Sequence, residues 1–122
     1  YFSDTKPNFS SAISLAIDSS IYVLSSNGTI DKFTKGKTDS FSITSLDTPF
    51  KNPARIYTNI NDDNIYVLDN GNSRIVVLDK NGSYKAQYKA GVIKNAKDFD
   101  VFEKYKKIYV LSSGKIYQID LK

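Results

Sequence analysis

Few residues in this 122-residue chain have the types and spacing that chemistry requires. Asp69, Asn70, Asn72 and Arg74 crowd into six positions, with Lys51 in the loop upstream. Oxygen and amide groups beside a guanidinium could hold a peptide, a glycan or a nucleic acid. Asx residues in such a run also bond their own turn backbone, and Arg74 could pair across a junction between neighbouring units instead. Asp62-Asp63-Asn64 offers oxygen ligands for a hard cation, but the spacing fits no calcium loop and reads as a solvated turn. Asp98 and Asp100 lie one pleat apart, as an acid–base pair could. Without a second cluster they read better as solvated groups lining a channel or the edge of a sheet.

The composition removes several chemistries. There is no Cys, hence no disulfide framework, thiolate nucleophile or thiolate metal site. There is no His, the commonest transition-metal ligand and the usual general base near neutral pH. No cofactor is expected. Among the 17 basic residues only Arg55 and Arg74 are arginine, so the net charge of +4 is carried mostly by lysine. Lysine is a hydrated point charge and suits a soluble surface better than base readout. No apolar run is long enough to span a bilayer, so direct membrane contact is not expected.

The elements that would position these residues are strands. Ser11 to Asp18 alternates, with Ile13, Leu15 and Ile17 on one face. Ile21-Tyr22-Val23-Leu24 and Thr29 to Thr34 flank an Asn27-Gly28 turn. Ser40 to Thr44 alternates again, followed by a loop from Ser45 to Pro53. The order then recurs: Ala54 to Ile60, Ile65 to Leu68, Arg74 to Leu78 and Ser83 to Ala90. A third pass has Ala96 to Phe102, Lys107 to Leu111 and Lys115 to Leu121, without a fourth strand.

Register supports a repeat. Ile-Tyr-Val-Leu begins at positions 21, 65 and 108. Ile30, Ile75 and Ile116 are each followed three residues later by Phe33, Leu78 and Ile119. Ala12, Ala54 and Ala96 share a spacing of 42, which aligns Leu15 with Tyr57 and Phe99. A period of about 40–45 residues with up to four strands is the signature of a β-propeller blade. Four successive apolar positions also predict a strand buried on both faces, as in a sheet held between neighbours. The expected fold is therefore all-β, with four-stranded antiparallel blades at about 11–44, 54–90 and 96–121. The third lacks its outer strand, and 1–10 is a stub of an outer strand (Tyr1 to Ser3) plus a loop. Tyr22, Tyr66 and Tyr109 recur in register and read as packing between blades.

The central unit carries a more specific pattern. Pro53 precedes its first strand, and Tyr66-Val67-Leu68-Asp69, Gly71-Asn72-Ser73-Arg74-Ile75 and Asp79 with Gly82 follow. It resembles an NHL repeat. The outer units match less well, with Ser25 in place of Asp69 and a shortened turn at Ser112-Ser113-Gly114. The resemblance implies a propeller, usually six-bladed, serving as a binding, scaffold or sensor module. Some relatives resemble extracytoplasmic sensor domains of membrane-anchored bacterial receptor kinases. Others bind single-stranded RNA on one face. Propeller lyases resembling this family use a His-bound zinc, which a chain without His cannot build.

The leading expectation is thus a non-catalytic module for a protein or peptide ligand. A nucleic-acid-binding propeller is the alternative, disfavoured by the two arginines, and an enzyme comes last. Three blades do not close a ring, so the expected assembly is a homodimer with six blades, formed by part of a larger bacterial protein. The candidate binding residues are Asp69, Asn70, Asn72, Arg74 and Lys51.

Overall fold

The repeated sequence builds three antiparallel sheets, laid side by side. The computed structural model describes residues 1–2 and 7–122. Strands β1 (Ala12–Ile17), β2 (Ile21–Ser25), β3 (Ile30–Thr34) and β4 (Lys37–Asp39) form the first sheet. The second contains β5 (Pro53–Tyr57), β6 (Asn64–Asp69), β7 (Arg74–Asp79) and β8 (Tyr84–Lys89). The third has three strands: β9 (Ala96–Phe102), β10 (Lys107–Ser112) and β11 (Lys115–Asp120). Each sheet is an up-and-down meander, and the first strands β1, β5 and β9 lie nearest one another. No α-helix occurs among the described residues; Asn70–Asn72, Gly91–Asn95 and Glu103–Tyr105 are single 3₁₀ turns.

The pleat explains how one four-residue motif packs two junctions. Paired residues of antiparallel strands share a face. Tyr22 and Leu24, with Ile30 opposite Leu24, point from blade one into a cluster with Ile65, Val67, Val76 and Leu78 of blade two. Tyr66, Leu68, Ile75 and Val77 leave the other side of blade two and meet Phe99, Val101, Ile108 and Val110 of blade three. In each Ile-Tyr-Val-Leu, Tyr and Leu therefore face the following blade, and Ile and Val face the preceding one. Burying one such side chain contributes roughly 1.5–3 kcal/mol. Strand β6 is buried from Ile65 to Asp69 because it has a neighbour on both sides. Strand β10 alternates: Ile108 and Val110 are buried, Leu111 is exposed, and Tyr109 is only half-buried because no blade covers its side.

Two expectations change. The outer strand of blade one is Lys37–Asp39 rather than Ser40 to Thr44. Lys35 and Gly36 both take positive φ (52° and 79°), a tight two-residue hairpin that starts pairing at once, Thr34 against Lys37. The segment from 41 to 44 runs on as the connection. Phe41 and Ile43 pack at the junction of blades one and two, and Thr44 bridges Ser83 of the next blade in parallel.

The first-strand register also shifts by one. Ala12 pairs with Ser25, Pro53 with Asp69, and Ala96 with Ser112, so Pro53 rather than Ala54 is the equivalent position. Leu15, Ile56 and Phe99 then correspond, each opposite the Val of its motif. Tyr57 sits one pleat on, faces blade three and stacks near Phe99 at 6.2 Å. With a side-chain period of two, a single-residue slip inverts the face. Pro53 is tolerated because it is the first residue of its strand.

At the N-terminus, Tyr1 and Phe2 lie against blade one, with Phe2 5.0 Å from the Phe33 ring. Of the expected stub and loop over 1–10, positions 3–6 fall outside the described residues.

Candidate functional site

The candidate residues do come together, at the end of blade two where β6 turns into β7. Asp69 and Arg74 close this hairpin as directly paired residues. The turn between them, Asn70–Asn72, is a 3₁₀ turn ended by Ser73 at φ 51°. Asp69 has no exposed surface and Arg74 is 1% exposed.

A buried carboxylate and guanidinium persist only when nearly every polar atom has a partner. Asp69 Oδ2 accepts from Arg74 Nε at 2.8 Å and from Asn72 Nδ2 at 2.9 Å. Its Oδ1 accepts from the Lys51 backbone N–H at 2.8 Å. Arg74 also donates to Asp47 Oδ1, to Gln87 Oε1 and to the Thr48 carbonyl. Its guanidinium lies 5.9 Å from the Phe50 ring. Asn72 reaches the Pro49 carbonyl, and the Gly71 N–H donates to the Lys51 carbonyl at 2.7 Å. Together these bonds pin the connection 47–51 onto blade two.

Asn70 works at the next junction. Its Nδ2 donates to the Ile93 and Ala96 carbonyls, capping the connection into blade three. Lys51 enters the network through its backbone and leaves its side chain in solvent. The half-exposed Asp47 carboxyl is held below its ordinary value by hydrogen bonds from Gln87 and Arg74. Asp47, Thr48 and Gln87 gave no sequence signal; only the folded connection brings them to Arg74.

Asp69 and Arg74 therefore have no surface with which to meet a ligand. What this end exposes is Lys51, Asn52, Lys94 and Asn95. A hollow of about 430 Å³ between blades two and three is lined by Asn52, Asn70, Gly71, Lys94, Asn95 and Ala96.

The opposite end carries a second polar network that sequence reading missed. Lys80 Nζ donates to Asp18 Oδ2 of blade one at 2.7 Å, to Thr58 Oγ1 and to the Asn59 carbonyl. Burial pushes the Asp18 carboxyl up, but bonds from Lys80 and the Ser20 N–H outweigh it and leave Asp18 below its ordinary value. Glu103 accepts from Tyr66 OH and from the Asp63 N–H, both at 2.7 Å, joining blades two and three. Burial first, then the Tyr66–Glu103 hydrogen bond, push the Tyr66 hydroxyl well above its usual range.

Asp62 has one buried oxygen, Oδ2, without a hydrogen-bond partner, and burial followed by the Glu103 charge raises its carboxyl. Strand β6 separates Asp62 and Asp63 from Asp69, so they share no site. Among the described residues no group of three acidic, His or Cys side chains is placed to hold a metal ion. Asp98 lies 3.7 Å from Arg55 and Asp100 accepts from the Val101 N–H; both are exposed on the open side of blade three.

Sheets in a row, first strands innermost and connections pinned to one end, define a β-propeller segment. Residues 50–78, within blade two and the connection before it, match the NHL repeat. No match is found among curated proteins. Solved structures share the fold. Kuenenia stuttgartiensis hydrazine synthase is 15% identical with a TM-score of 0.70, over 97% of this chain and 35% of that one. A chain of a nidogen/laminin complex is 18% identical with a TM-score of 0.66, over 89% and 44% respectively. Staphylococcus aureus virginiamycin B lyase is 17% identical with a TM-score of 0.58, over 96% and 44%. This chain thus spans about a third to under half of the chains it matches. At these identities the likeness is one of fold.

Proposed function

We propose that this chain is a non-catalytic NHL-type binding module. It takes a protein or peptide segment on the end where the connections cross between blades. One observation carries the reading: Asp69 and Arg74, the most strongly polar side chains there, are buried and used to fix the connection 47–51. What remains accessible is a hollow lined by amides and by the Lys94 side chain, with the exposed Lys51 next to its Gly71 wall. Such a surface suits a chain carrying carboxylates, since complementary charge aids encounter and sets orientation. The nidogen/laminin neighbour is a protein complex, which accords with this reading.

Nucleic acid remains the competitor to separate. Tyr22 and Tyr66 lie buried between blades, where no base could stack on them.

Fluorescence polarisation with a labelled Asp/Glu-rich peptide and a labelled oligo(U) of equal length tests the reading. The expected result is saturable peptide binding that weakens about ten-fold in a Lys51→Glu/Lys94→Glu variant. Oligo(U) binding with a steep salt slope, while the peptide stays inert, would replace the reading with the nucleic-acid one. Inertness of both probes would remove this end of the molecule as a binding surface.

The reading extends to assembly. Two copies, each with three blades, make a six-bladed ring about a cyclic two-fold axis.

A further inference from the structure

The end where the connections cross holds a second hollow. Beside the one of about 430 Å³ at the junction of blades two and three lies another of about 330 Å³ at the junction of blades one and two. Ile43, Leu46, Pro49 and Phe50 of the connection give the second hollow apolar walls. Asn27 and Thr29, from the turn between β2 and β3, give it a polar rim.

Along the chain a single residue separates the two. Phe50 lines one hollow, Asn52 lines the other, and Lys51 stands between them. The Lys51 backbone is held from both sides. Its N–H donates to Asp69 Oδ1 at 2.8 Å, and its carbonyl accepts from the Gly71 N–H at 2.7 Å. Phe50 is wedged as well: a Cβ on Gly28 would stand 3.3 Å from Phe50 Cβ, and the Arg74 guanidinium lies 5.9 Å from the ring. The divide between the hollows is therefore fixed in place, with the Lys51 side chain exposed on it. Two residues of extended chain span at most about 7 Å. Side chains i and i+2 of an extended peptide have that same spacing and point to one face.

We propose that the two hollows act as one bipartite site for an extended segment of a partner protein. An apolar side chain of the segment enters against Leu46 and Phe50, and a carboxylate two residues away meets Lys51 and Lys94. The proposal rests on the peptide reading above and specifies which features of the peptide are read. Charge and apolarity together select the occupant. No acidic side chain among the described residues lines either hollow. Asp47, the one carboxylate of the connection, is engaged by Arg74 and Gln87. An all-acidic segment would leave the apolar walls in water, and an all-apolar one would leave both lysines unanswered.

NMR titration of the ¹⁵N-labelled chain tests this with three Gly/Ser peptides of equal length. The first contains Glu-Gly-Leu-Gly-Glu, which sets a carboxylate two residues from the leucine in either chain direction. The second has Gly in place of the leucine. The third moves the leucine six residues away from the nearer glutamate. The first peptide should shift the amides of Gly28 and Ser45 together with those of Gly71 and Asn95, on one saturation curve. It should bind about ten-fold more tightly than either control. Thr29→Trp fills the apolar hollow from its exposed rim, and Leu46→Ala removes part of its wall; each should cancel that advantage and keep the shifts at Asn95. Unchanged amide positions elsewhere check that both variants fold. Equal affinity for the first peptide and either control would overturn the bipartite site and leave the acidic-peptide reading standing. An advantage that survives in both variants would do the same. No shift around Asn95 with any peptide would overturn that reading and this inference together.

Discussion

Arg74 Nε lies 2.8 Å from Asp69 Oδ2, and the pair is shut off from solvent between β6, β7 and the connection 47–51. Removing Arg74 strands the Asp69 carboxylate in a dry site, which costs about 3–5 kcal/mol, whereas removing Asp69 leaves Arg74 its Asp47 partner. Arg74→Met should lower the urea unfolding free energy by that order, and Asp69→Asn should lower it by less. The double variant should lose much less than the sum. Additive losses would show that the two residues act independently.

Gly71 is needed for a different reason. A Cβ there would stand 2.3 Å from the Lys51 carbonyl oxygen, which accepts the Gly71 N–H bond. The obstacle is backbone, so it cannot swing aside. Gly71→Ala should cost on the order of 2 kcal/mol, whereas Gly91→Ala, with nothing within 4 Å, should be nearly neutral. Denaturant midpoints of the two variants decide it.

The carboxylates at the other end give opposite pH dependences. Asp62 is raised by burial and by Glu103, so the folded state holds its proton more tightly than the unfolded chain. Its contribution is present below the ordinary value of 3.8 and is lost as pH rises through the elevated folded value. Asp62→Asn should therefore stabilise the protein near neutral pH and change little in strong acid. Asp18 is lowered, with Lys80 overcoming burial, so its contribution is present above 3.8 and lost as pH falls through the depressed value. Lys80→Met should remove that acid-sensitive share. Thermal midpoints across pH 2–8 separate the two, and identical pH profiles for all three proteins would refute the account.

One hydroxyl adds a charged hydrogen bond to the junction of blades two and three. Tyr66→Phe deletes the 2.7 Å bond to Glu103 Oε2 while keeping the ring among Leu68, Ile75 and Ile108. The expected loss is about 1–3 kcal/mol, the order for a hydrogen bond to a charged group. Hydrogen exchange at Asp63, whose N–H also bonds Glu103, should accelerate if the carboxylate has been freed.

The sequence carried the architecture because it states the repeat in residues whose environment is local. Ile-Tyr-Val-Leu opposite a second apolar run fixes a hairpin and the two faces it needs covered, and three copies in register imply stacked blades. Asn-Gly and Asp-Lys-Asn-Gly turns are likewise local chemistry. The first-strand register was not legible. All three first strands carry the same bulge, and the offset comes from turns of unequal length before the second strand, which the spacing of the alanines does not reveal. Nor was the outer strand of blade one, where the Lys35-Gly36 turn overrode the alternation at 40–44.

The candidate site divides the same way. Asp69, Asn70, Asn72 and Arg74 stood out in the sequence as polar residues crowded into a turn. Whether they faced a ligand or the interior depended on Asp47, Thr48, Lys51 and Gln87, which come from other positions along the chain. Burial of a charge is decided by what folds over it, and that covering segment is reached only through tertiary structure. Spacing along a strand sets which side a residue faces; the packing of distant segments sets whether water remains there.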